Sequence, residues 1–261
     1  LIVNGGSVSA ISLGDPLGGT AVGGGGPGPH GLFGTEWGDP GDGAAVVVNG
    51  GTLEARSSGV TVGSGYVLSA GAPGSLSVAG DWIAGVTPTS PAPGAGIPAS
   101  AAPAVTTTGG PERFTLTNGT AAGASTTRIE FVDALVGVLP STTTPRAGDT
   151  ITVTARARVP SGSTFDVSSA LTLTSSVPDD VIAGNTVTFP HGSPHTITAS
   201  YGGVSTSFTL EVAALAPAAE DPSELADTGP APVGPTLAGA MLLTVAGLAL
   251  AIGPRRRRMR A

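Results

Sequence analysis

Thr150-Ile151-Thr152-Val153-Thr154-Ala155-Arg156 carries an apolar residue at every second position, the period of a half-buried strand. The pattern returns at Thr186-Val187-Thr188-Phe189, at Thr196-Ile197-Thr198-Ala199-Ser200-Tyr201, and from Val204 to Val212. Turn residues separate these runs: Ala147-Gly148-Asp149, Ser161-Gly162-Ser163, Ala183-Gly184-Asn185 and Gly202-Gly203. Roughly seven strands with a turn about every 8 to 12 residues predict a β-sandwich over residues 113–213. Glycine and proline supply 65 of 261 residues, which approaches low-complexity composition. The short alternating runs of Val, Ile, Leu and Thr argue for an all-β fold instead.

A weaker pattern occupies residues 1–86. Val3-Asn4-Gly5-Gly6-Ser7-Val8-Ser9-Ala10 returns as Val48-Asn49-Gly50-Gly51-Thr52-Leu53-Glu54-Ala55, and Gly74-Ser75-Leu76-Ser77-Val78-Ala79 is a poorer third copy. Gly6, Gly51 and Gly74 are separated by 45 and 23 residues, close to two periods and one of about 22. Such a period suits one coil of a parallel β-helix. The segment resembles the Asn-Gly-Gly-Thr-rich repeats of bacterial surface β-helix proteins. The Gly- and Pro-rich insert from Gly23 to Gly43 is expected to be a protruding loop without regular strands. The chain opens at Leu1 in strand-like sequence, with no signal peptide, and the expectation is a longer precursor with earlier coils.

Residues 87–112, rich in Pro, Ala and Thr, have the composition of an extended linker, which sets a domain boundary there. Gly148-Asp149-Thr150-Ile151-Thr152-Val153 and His195-Thr196-Ile197-Thr198-Ala199-Ser200-Tyr201-Gly202-Gly203-Val204 resemble bacterial immunoglobulin-like (Big) domains over about residues 130–213. That resemblance implies a stalk without an active site. Residues 214–224, rich in Ala, Pro and Glu, read as a flexible tether.

The C-terminus has three parts. Leu225-Ala226-Asp227-Thr228-Gly229 precedes an apolar run at 233–253, and Arg255, Arg256, Arg257, Arg258 and Arg260 follow it. At 21 residues the run is long enough for one transmembrane helix. The arginines hold the tail in the cytoplasm and leave residues 1–228 outside. The order resembles the sorting signal of Gram-positive wall-anchored proteins. Ala226 stands where the common motif has proline, as in the Leu-Ala-x-Thr-Gly form associated with class E sortases of high-GC bacteria. The resemblance implies that a sortase cysteine attacks the Thr228 carbonyl, releases Gly229 onward, and passes the acyl group to a peptidoglycan amine. The chain is the substrate and supplies no catalytic group.

Composition narrows the rest. There is no cysteine, hence no disulfide and no thiolate site. Lysine is also absent, which excludes self-formed Lys–Asn isopeptide bonds and a lysine-linked pilus backbone. Residues 1–228 hold six arginines against all eighteen acids, a charge of −12 that disfavours nucleic acid.

Candidate sites are few. Glu36, Asp39 and Asp42 offer oxygens but match no calcium loop. His191 and His195 are four apart, a zinc spacing on a helix, yet Pro190 and Pro194 place them in a turn leading into a strand. The glycine run at 23–26 lacks the lysine of a phosphate loop. Residues 1–100 pair Arg56 with six acids (Asp15, Glu36, Asp39, Asp42, Glu54 and Asp81), and no spacing selects a glycosidase pair. Trp37 is a candidate sugar platform or an aromatic plug, and Trp82 is the second tryptophan.

The sequence therefore predicts a sortase-anchored, cell wall-attached surface protein with no catalytic residue, cofactor or metal. Its role is structural or adhesive, with a glycan or a neighbouring cell surface as the ligand class. The rivals are a surface polysaccharide hydrolase or lyase and a membrane-anchored protein that no sortase processes.

Overall fold

The computed structural model describes residues 1–13, 20–23, 29–30, 36–37, 42–64, 72–94, 97–121 and 123–216. These residues are mostly β-strand, and residues up to Ala216 belong to one compact unit. The helical segments among them are two single 3₁₀ turns, Ala99–Ala101 and Ser168–Ala170, and no helix is long and apolar enough to cross a membrane. The expected span at 233–253 lies outside the described residues.

The first lobe contains β1 (Ile2–Ser12), β2 (Thr20–Gly23), β3 (Pro29–His30), β4 (Glu36–Trp37), β5 (Ala45–Ser57), β6 (Val60–Gly63), β7 (Ser75–Val78), β8 (Asp81–Trp82), β9 (Val105–Thr107), β10 (Arg113–Ala121) and β11 (Ala124–Phe131). Strands β1, β5, β7 and β9 stack in parallel, and β2 runs parallel to β6. The repeat read in the sequence is the register of the first pair: Val3 lies beside Val48, Ser7 beside Thr52, Val8 beside Leu53 and Ala10 beside Ala55. Asn49 Nδ2 donates to Asn4 Oδ1 at 2.8 Å, so the repeated asparagines form a rung of their own.

Gly51 explains the repeated glycines. Its φ is +80°, and a Cβ there would stand 2.2 Å from the Gly6 carbonyl oxygen. Glycine alone meets both the left-handed backbone and the close approach. A Gly51→Ala variant is expected to lose at least about 2 kcal/mol, the left-handed penalty plus the clash, in a denaturant titration.

The stacking step departs from the expected period. Ile2 meets Val47, Ala45 meets Ser75 and Leu76 meets Val105, which are steps of 45, 30 and 29 residues. Gly6 and Gly51 lie inside β1 and β5, whereas Gly74 precedes β7. Aligning the three glycines therefore shifts the third copy, which stacks on Ala45–Val48 and not on Thr52-Leu53. The first step is the longest because it contains the insert from Gly23 to Gly43. Within that insert Pro29–His30 pairs antiparallel with Glu36–Trp37, where composition predicts no strands.

The expected linker at 87–112 is instead part of the lobe. Its residues Val105–Thr107 extend the parallel stack, and Ala101 and Ala102 are buried beside Val60. Side chains of the sheet satisfy the backbone of the Pro-rich stretch: Thr127 Oγ1 accepts from Ala92 N–H at 2.8 Å, Thr61 Oγ1 donates to Ala92 O at 3.0 Å, and Asn118 Nδ2 donates to Ser90 O at 2.8 Å. Proline-rich backbone lacks its own ladder, and here it borrows one.

The boundary at 113 also moves. Strands β10 and β11 form a hairpin whose Phe114, Leu116, Ile129 and Phe131 enter the first-lobe core with Leu53 and Val78. Along β5, β7 covers only Ala45–Val48, which leaves the Thr52–Ser57 edge open, and β11 fills it antiparallel. Phe114 is fully buried between Trp82 and Phe131, with ring centroids at 4.7 and 5.8 Å.

The second lobe contains β12 (Ala134–Pro140), β13 (Thr150–Arg158), β14 (Thr164–Asp166), β15 (Thr172–Ser175), β16 (Val181–Ala183), β17 (Thr186–Thr188), β18 (Pro194–Tyr201) and β19 (Val204–Glu211). One sheet orders β12-β13-β17-β16 with β14 on β13, and the other orders β15-β18-β19. Ile151, Val153, Ala155 and Ala157 alternate inward along β13 and meet His195's neighbours Ile197 and Ala199 in a single core. Ile83 belongs to this core too, and Tyr201 OH accepts from Ala84 N–H at 2.7 Å, so the first lobe plugs into the second.

The turn after β14 is set by Asp166. Its Oδ1 accepts from Ser168 N–H at 3.0 Å and from Ser168 Oγ at 2.7 Å. The Ser168 backbone and side-chain bonds hold the Asp166 carboxyl below the ordinary carboxylate pKa. A depressed value means that the turn's contribution is present at neutral pH and is lost as pH falls through the folded pKa. Ser168→Ala is expected to move the Asp166 titration, followed by NMR, back up toward the ordinary value.

Candidate functional site

Leu225, Ala226, Asp227, Thr228 and Gly229, and the arginines at 255–258 and 260, lie outside the described residues. So do Asp15, Asp39 and the side chains of Glu36 and Trp37. Asp42 is committed locally, because its Oδ1 accepts from Ala72 N–H at 2.8 Å. Asp81 pairs with Arg113 at 3.7 Å, and Arg56 Nη2 donates to Ala121 O at 2.8 Å. Trp82 packs on Phe114 and is a core ring.

The structure brings together a set that sequence reading kept apart. In the antiparallel register of β5, β11 and β10, Glu54 lies opposite Arg128, and Arg128 lies opposite Thr117. Alternation puts Thr117, Thr126, Arg128, Glu130 and Glu54 on the face away from Leu116, Ile129 and Leu53. Arg128 Nη2 bonds Glu54 Oε2, and Arg128 Nη1 lies 3.7 Å from Glu130 Oε1. The hydrogen bond that Arg128 donates to Glu54, with the charges of both glutamates, raises the Arg128 pKa against partial burial. Glu130 is 2% exposed, and its Oε1 accepts from Ser161 N–H of the β13–β14 turn at 2.7 Å.

These groups line an open groove of about 420 Å³ between the outer face of the first-lobe sheet and the Ser161–Ser163 turn. Arg128 stays 37% exposed, so its guanidinium is held in place by carboxylates and still presented to solvent. Compared with protein-family models and with curated proteins, the chain matches none. The groove is thus read from its own chemistry.

Among the described residues no three His, Asp or Glu side chains gather as a metal site. The two candidate zinc histidines do not converge. His191 is exposed with Nε2 3.6 Å from Asp179, whereas His195 is fully buried. His195 Nδ1 lies 2.8 Å from Asp180 Oδ2, and its Nε2 lies 3.0 Å from Ser193 Oγ and 3.2 Å from His191 O. Ser175 Oγ donates to the same Asp180 oxygen at 2.5 Å.

The order Ser193–His195–Asp180 is that of a nucleophile, base and orienting acid. A working base must hand its proton to a leaving group, however, and here the His191 carbonyl competes for Nε2 inside a closed core. The cluster instead ties the start of β18 to the loop before β16.

Proposed function

We propose that this chain is a sortase-anchored surface protein with a structural or adhesive role. In this reading the parallel stack is a β-helix-like head, and the two-sheet lobe is an immunoglobulin-like stalk of Big type. The tether at 214–224 carries both away from the membrane, and the segment at 233–253 spans it until sorting. The observation that carries the proposal is the three-part terminus: Leu225 to Gly229, then 21 apolar residues, then five arginines.

Two further facts support it. All eighteen acids precede Gly229, so charge divides at the membrane in the sense expected for an outward-facing acidic ectodomain. Cysteine and lysine are both absent, which fits a display protein whose one covalent link is made at Thr228.

Sequential extraction of native cells tests the reading. Murein hydrolase is expected to release the ectodomain, and detergent alone is expected to release only unsorted precursor. Quantitative release by detergent would make the protein a plain membrane protein.

A further inference from the structure

We propose that the groove over Arg128 binds a neutral, hydroxyl-rich glycan. The inference deepens the adhesive half of the function proposed above and does not depend on the anchoring half.

The groove's volume, about 420 Å³, is in the range typical of small-ligand sites. Its lining mixes apolar and polar surface, with Glu54, Thr117, Thr126, Arg128, Glu130 and Ser163 among the polar side chains. Charge then selects the ligand. Arg128 faces two carboxylates, of which Glu54 is 35% exposed and Glu130 is buried. The charges that line the groove and reach solvent are therefore one of each sign, Arg128 and Glu54, in an ectodomain of −12. An acidic polymer would meet Glu54 and the acidic molecule behind it, and a cationic one would meet Arg128. Vicinal hydroxyls suit both partners, donating to Glu54 and accepting from the exposed edge of Arg128.

The site is built and not incidental. Glu130 is a buried carboxylate whose bonds fix the Ser161 turn as one wall, and it backs the guanidinium from below. Glu54 fixes the guanidinium from the neighbouring strand. Pre-positioned charged groups of this kind recognise hydroxyls at little further cost in ordering.

The test is affinity electrophoresis of the full chain in a polyoxyethylene detergent, with gels containing a glucan, a mannan, a galactan, or polygalacturonate as charged control. Retardation is expected on at least one neutral polymer and not on polygalacturonate. Arg128→Ala is expected to weaken retardation about tenfold or more, because the hydrogen bonds it removes involve a charge. Thr117→Leu is the second variant. Thr117 is exposed and makes none of the Arg128 contacts, so this uncharged variant narrows the groove without competing for the carboxylates. Loss of binding in both variants supports the proposal. No retardation by any neutral polymer, or undiminished retardation in either Arg128→Ala or Thr117→Leu, would overturn it. A chain that binds glycan yet is never linked to the wall would keep this inference and remove the anchoring one.

Discussion

Replacing Thr228 with alanine is expected to abolish wall linkage and leave the whole chain in the membrane fraction. The transpeptidation implied by the motif makes its acyl bond at the Thr228 carbonyl, so the side chain at that position is read at the moment of cleavage. An uncut precursor keeps the apolar segment at 233–253, which at about 1.5 Å per residue covers a hydrocarbon core. Arg255 to Arg258 and Arg260 are expected to keep it from being drawn through. The first compact unit ends at Ala216, twelve residues before Thr228, and its stability is expected to be unchanged by the substitution. Fractionation with an antibody to the ectodomain reads the outcome. Wild-type levels of wall-linked variant would sink the sorting account.

His195→Ala is expected to cost about 3–5 kcal/mol of folding free energy, the range for breaking a buried ionisable pair. His195 and the Asp180 side chain are both 0% exposed. Without the imidazole, Asp180 keeps only Ser175 Oγ, and its Oδ1 is already buried with no partner among the described residues. The edge contact with Phe189, 4.9 Å between ring centroids, is lost as well and leaves a cavity. Replacing both members, as in Asp180→Leu with His195→Leu, is expected to recover much of the loss because neither ionisable group is left buried without its partner. Chemical denaturation of the three proteins measures this. A single variant as stable as wild type would show that the cluster is not structural, and would reopen the Ser193 arrangement as a site.

Strict alternation was the most legible feature of the chain. Thr150 to Arg156 and Thr196 to Tyr201 read as strands because their apolar residues occupy every second position, and the structure extends them to Thr150–Arg158 and Pro194–Tyr201. The Val3/Val48 repeat was legible for a different reason: stacked strands need the same glycines at the same height, so register is written into the sequence. The coil length was hidden, since Gly74 precedes its strand and looks identical in composition to a glycine within one.

The Pro-rich stretch misled because its backbone partners are side chains far away in sequence, Thr61, Asn118 and Thr127, and composition does not show them. That error had a consequence for the site. A boundary at 87–112 separates Glu54 from Arg128, which are 74 residues apart and adjacent in space. A search for a basic residue among the acids of residues 1–100 finds only Arg56. The available signal was Arg128-Ile129-Glu130, an alternating charged pair on one strand face, opposite an acid that needed a partner.

The most direct measurement is the intact mass of ectodomain released from native cell walls by murein hydrolase. The account predicts a chain ending at Thr228 and carrying a peptidoglycan fragment. A chain that still ends at Ala261 would contradict it.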